Sequence, residues 1–383
     1  MCTAYAIIIS VSSTLIADKE FLMYFKQWRN RKGYTVGAEL EARLQDKQTL
    51  ELKNYSSMIR ERFDSEYKEK IHQEFLECMV EFVTPVCQTS FGVIKELKEQ
   101  ISYLKDIVKN DNLTIATSGS HSYKIDTLEH VNEKRYDDFA KEYGILLSRF
   151  HICGFHIHVA LPSSVEAMRA YNFSLEFLPI FLALSANSPY FNAEDARLLS
   201  YRAKIFEQLP RAGQSSYFEN FTKMQDLYEK MYKAGTIKTA KDIWWDLRIS
   251  PKFGTLEIRI CDASNDFERL RLLVVLFQAL CLFSQNQELK RIPHQILLQN
   301  RWNALRHGLD GIFQNNETVT TIREHFLDLV NLMEKDSIFS QLKTKDDIEN
   351  LKNLAYSEEL AKKQIRVYKK TNDFKEVEKL GIL

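Results

Sequence analysis

The chain has 383 residues, 45% of them hydrophobic, 27% charged and 12% aromatic, which excludes collagenous, coiled-coil and disordered architectures and supplies enough apolar material for a sizeable core. Lys and Arg number 52, as do Asp and Glu, so the formal net charge is zero. With no basic excess or strong basic patch, nucleic acid is not an expected partner.

Six cysteines at positions 2, 78, 87, 153, 261 and 281 contain no CxxC pair, which excludes zinc-ribbon and thioredoxin-like motifs. Most lie in apolar runs, and buried free thiols in a reducing cytoplasm are expected. Polar residues interrupt every apolar stretch well before the roughly 20 residues of a membrane span. Residues 4–16 are apolar, but no Lys or Arg precedes them, so a strand or packed terminus is expected over a signal peptide.

In chain order, residues 18–30 have the pattern of a short amphipathic helix ending near Gly33. From 34 to 45 the period becomes two: Val36, Ala38, Leu40, Ala42 and Leu44 share one face, and Gly37, Glu39, Glu41 and Arg43 the other, which predicts a strand apolar on one side and acidic on the other. A second strand is expected over 77–83, stopped by Pro85, then a helix in which Phe91, Ile94, Leu97, Ile101, Leu104 and Val108 recur at helical spacing. A short strand at 113–117 leads into the turn at 118–121, and 136–150 reads as helix. Residues 152–161 alternate again, with His156 and His158 opposite Phe155, Ile157 and Val159. Ser163 and Glu166 form a capping-box signature for a helix running towards Asn187. Residues 243–249 and 255–261 flank a turn of hairpin length, and 265–285 and most of the chain after Val319 read as helix. Strands interspersed with helices, several joined as hairpins, predict an α+β fold with a mainly antiparallel sheet.

The polar strand faces carry the chemistry. Glu39 and Glu41 project the same way and repel one another; either the face is solvated or a divalent metal neutralises it. An oxygen-rich set favours Mg²⁺ or Mn²⁺ over zinc. Glu81, between Val80 and Phe82, is either functional or salt-bridged, and Glu74 lies in the strand or in a turn before it. The His156/His158 pair suits a metal, or a metal and a substrate, but is also compatible with a structural role. Glu257 and Arg259 share a strand face: they form an intrastrand ion pair, or Glu257 meets a metal and Arg259 a phosphate or carboxylate. GxxxxGK[ST], GxGxxG and GxSxG are all missing from the sequence, so ATP, if used, is held without a Walker loop.

Several segments together resemble the type 2 glutamate–cysteine ligase (carboxylate–amine ligase) family: VGAELE at 36–41, MVEFVTPVC at 79–87, GFHIHV at 154–159, LALSANSP at 182–189, SYR at 200–202, FEQLPRAG at 206–213, WDLR at 245–248, PKFGTLEIR at 251–259, and NRW at 300–302 through GLDG at 308–311. They run in family order. The resemblance implies a glutamine-synthetase-like (glutamine synthetase/guanido kinase-like) fold, an antiparallel sheet forming an active-site funnel covered by helices. Residues 33–383 would form a single catalytic domain, with C-terminal helices from about 312, and residues 1–32 an N-terminal extension. The implied activity is ATP-dependent joining of the glutamate γ-carboxylate to the amine of cysteine through an acyl phosphate, in the cytoplasm and in glutathione biosynthesis. The same chemistry on another acid or amine, and a non-catalytic metal- or nucleotide-binding relative, are the alternatives.

By resemblance, Glu39, Glu41, Glu74, Glu81, His156 and Glu257 hold Mg²⁺ (or Mn²⁺), and Arg259 with Glu257 serves the phosphoryl transfer. Arg202, Arg211, His158, His121 and Lys252 bind substrate or nucleotide. The expected partners are small molecules, with no nucleic acid and no membrane, and a homodimer is compatible. Three departures stand out. Leu40 replaces an acidic residue but falls on the core face, GSHS at 119–122 replaces Gly-Thr-His-Pro, and Ala160 replaces a glycine.

Overall fold

A computed structural model describes residues 28–123 and 128–383. The expectations for residues 4–16, for Cys2 and for most of the helix at 18–30 lie outside these; residues 28–30 carry no regular structure. The seven main strands are β1 (Val36–Asp46), β2 (Ile71–Gln73), β3 (Met79–Val83), β4 (Leu113–Ala116), β5 (Gly154–Ala160), β6 (Leu247–Ser250) and β7 (Thr255–Asp262). They form one sheet in the order β6-β7-β5-β1-β3-β2, with β4 pairing the C-terminal end of β1, and every pairing is antiparallel.

The alternation in β1 decides which face is core. Val36, Ala38, Leu40, Ala42 and Leu44 are all buried, alongside Phe155, Ile157 and Val159 of β5 and Leu256 and Ile258 of β7. Helices cover that face. α1 (Ser90–Val108) buries Val93, Leu97, Ile101 and Leu104, and its N-cap Thr89 accepts from the Gly92 N–H. The segment beyond Ser163 forms two helices, α2 (Ser164–Ser174) and α3 (Leu178–Ser185), with Pro179 in the first turn of α3, where its missing N–H costs nothing. Only half of the expected capping box forms: Ser163 accepts from the Glu166 N–H, but the Glu166 carboxylate takes the Ser163 hydroxyl. The almost wholly buried α4 (Phe267–Phe283) packs on β5 and on α1. A small hairpin, Ile312–Gln314 with Val319–Thr321, precedes the C-terminal helices.

The C-terminus is anchored at the far end of β1. The Leu383 N–H donates to the Ile115 carbonyl at 2.9 Å, and the Thr117 N–H to the Gly381 carbonyl at 2.7 Å. Among the described residues no helix is long and apolar enough to cross a membrane.

Candidate active site

Strand register gathers the polar residues. Across the sheet Glu39 stands opposite His156, Glu41 opposite Glu81, and His158 opposite Glu257. Glu81 in turn faces His72, and Glu257 faces Arg248. Residues far apart in sequence therefore line one cleft of about 370 Å³ above the sheet. Glu39, Glu41, Glu74, Glu81, His156, His158 and Arg259 all line it.

Two subclusters divide this cleft. Ligand atoms of Glu41, Glu74 and Glu81 lie within 4.8 Å of one another, as do those of Glu39, Glu81 and His156. Burial, then the charges of Glu41 and Glu39, push Glu74 up to about 8. Burial and the charges of Glu39, Glu74 and Glu41 hold Glu81 well above the usual carboxylate range. Glu39 shifts the other way: burial raises it, but hydrogen bonds to His156 Nδ1 at 2.9 Å and His158 Nε2 at 3.2 Å prevail. His156 Nε2 is buried without a hydrogen-bond partner, 3.8 Å from Glu41 Oε1. An orphaned imidazole nitrogen beside converging carboxylates is a group of donors that could hold a divalent cation. The excess of oxygen suits Mg²⁺ or Mn²⁺.

Glu257 sits at the other end, fully buried beneath the cleft. Arg248 grips it with a fork, Nε to Oε2 at 2.8 Å and Nη2 to Oε1 at 3.0 Å, and Arg259 Nη1 donates to the same Oε1. Burial raises the Glu257 pKa, but Arg248, Arg259 and His158 outweigh it and bring it to about 2. The ion-pair reading of Glu257 and Arg259 therefore holds in this structure, although Glu257 also forms a possible cation-binding group with Glu39 and His158. The register shift between Ile258 and Cys261 leaves the Arg259 N–H free to donate to the Asp246 carbonyl at 2.8 Å.

Besides the buried Glu257, four expected residues do not reach the cleft wall. Arg202 lies buried under β7, donating to the Arg259 and Ile260 carbonyls. It passes so close to β5 that a Cβ at Gly154 would overlap its Nη2, so only glycine fits there. Arg211 is tied to Tyr143 Oη at 2.6 Å and the Asp242 carbonyl at 3.0 Å, with its guanidinium over Trp244. Lys252 is exposed on the β6–β7 turn. His121 is fully buried away from the cleft: its ring nitrogens lie 3.0 Å from the Leu50 carbonyl and 3.2 Å from that of Tyr123, and Glu378 sits 3.7 Å away.

Sequence reasoning assigned no role to Arg248, His72, Arg135, Lys241 or the aromatic wall of Phe75, Tyr136, Phe139, Phe150, Phe206 and Trp244, all of which line the cleft. For Arg248 a signal existed, because the turn length of the 243–261 hairpin sets Arg248 opposite Glu257. The wall comes from loops, helices and the short strand Trp244–Trp245, and of its residues Phe206 alone lies in a segment that carries the resemblance. The five described cysteines are free and buried. Burial pushes the Cys153 and Cys261 thiols up to about 12, so none is primed as a thiolate.

Comparison with known proteins gives the family and the fold. Residues 35–371 match the model of Glutamate–cysteine ligase family 2 (GCS2). A protein of Roseiflexus castenholzii named "Putative glutamate--cysteine ligase 2" is 31% identical over 348 residues, covering 89% of this chain and 91% of the relative. One of the same name from Herpetosiphon aurantiacus is 29% identical over 358 residues, 90% of this chain and 91% of the relative. Among solved structures, a glutamate–cysteine ligase of Francisella tularensis in complex with AMP superposes with a TM-score of 0.70 at 14% identity, over 92% of this chain and 88% of that one. A bifunctional glutathione synthetase of Pasteurella multocida gives 0.63 at 12% identity, over 95% of this chain and 53% of that one. The fold is theirs, and the match over 35–371 places the chain in glutamate–cysteine ligase family 2.

Proposed function

We propose that the chain is an ATP-dependent carboxylate–amine ligase that joins the γ-carboxylate of glutamate to the amine of cysteine. The observation that carries this reading is the convergence of Glu39, Glu41, Glu74, Glu81 and His156 beside a buried-carboxylate-clamped Arg259 in one cleft. Family membership supports the reaction class, and the AMP in the Francisella enzyme supports an adenine nucleotide as co-substrate.

A carboxylate is a poor electrophile, so its carbon must be activated before an amine attacks. In the proposed sequence a γ-carboxylate oxygen attacks the γ-phosphorus of ATP and ADP leaves. The neutral amine then adds to the acyl carbon, and phosphate departs with one former carboxylate oxygen and takes up the proton that the amine loses. Bound at Glu41, Glu74, Glu81, Glu39 and His156, Mg²⁺ (or Mn²⁺) would supply charge neutralisation for the phosphates. Arg259 supplies a guanidinium at the cleft wall, aimed by Glu257, for the charge of the transferring phosphoryl group. His158, at Glu39 and 3.2 Å from Thr255 Oγ1, is held in one orientation at the cleft floor. The aromatic wall keeps water from the acyl phosphate. The buried free thiols accord with a reducing cytoplasm, and γ-glutamylcysteine would feed glutathione biosynthesis.

Glutamate labelled with oxygen-18 in its γ-carboxylate tests the activation step. Transfer of one labelled oxygen into the released phosphate is expected; unlabelled phosphate accompanying product would refute the acyl phosphate. The same ligase chemistry on another amine is the second reading, and product masses from a panel of amines separate it from the first.

A further inference from the structure

A second cavity, of about 330 Å³, opens beside the carboxylate cleft and shares Glu39, Val83, His158 and Phe253 with it. Its floor is the start of β1 and its sides are Thr84, Pro85 and Val86 on one flank and the β6–β7 turn on the other. The remaining wall is the segment bearing Arg29 and Arg31, which lies ahead of the family match beginning at residue 35.

That segment is fastened in place. Trp28 Nε1 donates to the Leu161 carbonyl at 3.1 Å, the Arg29 N–H to the Pro251 carbonyl at 3.1 Å, and Arg31 Nε to the Phe253 carbonyl at 3.3 Å. Gly254 has φ +68°, and a Cβ there would overlap the Arg29 carbonyl oxygen, so the turn is shaped to receive this segment. Among the described residues no carboxylate pairs with either guanidinium. Phe253 and Val86 stand at the rim 48% and 60% exposed, apolar surface that a free protein does not need.

We infer that this cavity holds the nucleoside end of the nucleotide, with the base against Phe253, Val86 and Pro85, while Arg29 and Arg31 bind the α- and β-phosphates. The inference rests on the ligase reading and deepens it. The chemistry is complementary: an apolar pouch for a base, an exposed aromatic and planar guanidiniums on which a base stacks, and two cations with no carboxylate partner among the described residues for phosphate. Continuity through Glu39 and His158 directs the terminal phosphate towards the carboxylate cluster and Arg259. Arg29 and Arg31 thereby become nucleotide-binding residues contributed by this chain ahead of the family-matched region.

Calorimetric titration of the full chain with ADP and Mg²⁺ tests this, alongside steady-state kinetics. The Arg29→Ala/Arg31→Ala variant is expected to weaken ADP binding about tenfold or more and to raise the KM for ATP, while the KM for glutamate stays near the parental value. Phe253→Ala, an exposed site whose truncation spares the core, should weaken ADP binding but leave inorganic tripolyphosphate binding unchanged. ADP affinity equal to the parent in both variants, or a change confined to the KM for glutamate, would overturn the inference and leave the ligase reading standing. Failure of the parent chain to bind ADP at all would overturn both.

Discussion

Arg248 is the residue whose loss separates positioning from mere presence. Its fork makes two charge-assisted bonds, at 2.8 and 3.0 Å, to a Glu257 carboxylate with no solvent exposure. Breaking a buried ion pair by removing one partner costs about 3–5 kcal/mol. Two features reduce that here: the Arg248 side chain is 18% exposed, and Arg259 still bonds Glu257 after the change. Arg248→Met should therefore lower unfolding free energy by about 2–3 kcal/mol, read from denaturant unfolding. Freed from one of two guanidiniums, Glu257 no longer fixes Arg259, and kcat should fall about a hundredfold. Arg248→Lys keeps the charge but loses the fork, so it should recover part of the stability and little of kcat. In a double-mutant cycle, adding Glu257→Gln to Arg248→Met should cost less than the two single effects summed. The reasoning fails if Arg248→Met unfolds within about 0.5 kcal/mol of the parent and keeps its kcat.

Glu41→Gln removes one of three mutually repelling carboxylates; turnover and the Mg²⁺-dependent rise in melting temperature should disappear while the metal-free protein melts no lower than the parent, and a retained Mg²⁺ response would refute the assigned donor set. Leu40→Glu places a charge on a fully buried side of β1 and should abolish soluble folded protein or cost well over about 3 kcal/mol, so a variant as stable as the parent would contradict the strand faces. His325 stacks between Phe313 and Phe177 with ring centroids 3.6 and 5.1 Å away, and burial pushes its pKa down to about 4. Because the folded ring resists protonation, its contribution is intact above about pH 6.5 and is lost as pH falls towards 4, by about 2 kcal/mol at pH 5. His325→Phe should remove that part of the acid sensitivity in urea midpoints measured at pH 7.5 and 5; an unchanged pH slope would refute it.

Most of the fold was legible because β1, β5 and β7 alternate cleanly and α1 and α4 carry apolar residues at helical spacing. The acidic face of β1 and the HxH of β5 identified the cleft floor correctly as to side, since period two leaves no choice once Leu40 is core. Register was not legible, because it joins residues from distant stretches of chain: nothing local says that Glu39 stands opposite His156 rather than His158. Glu74 lies between β2 and β3, and only the pairing of those two strands brings it to Glu41 and Glu81. The segment after Ser163 showed unbroken apolarity, yet Pro179 starts a second helix. Arg202 and His121 sit within recognisable motifs, but their buried partners, the β7 carbonyls for one and Glu378 with the Leu50 carbonyl for the other, come from distant chain.

The central claim is tested most directly by following ADP release from ATP and Mg²⁺ with glutamate, with and without cysteine, while recording product masses. The account predicts release that depends on cysteine and a product with the mass of γ-glutamylcysteine. Cysteine-independent ADP release, or none with any acid and amine despite bound ATP and Mg²⁺, would contradict it.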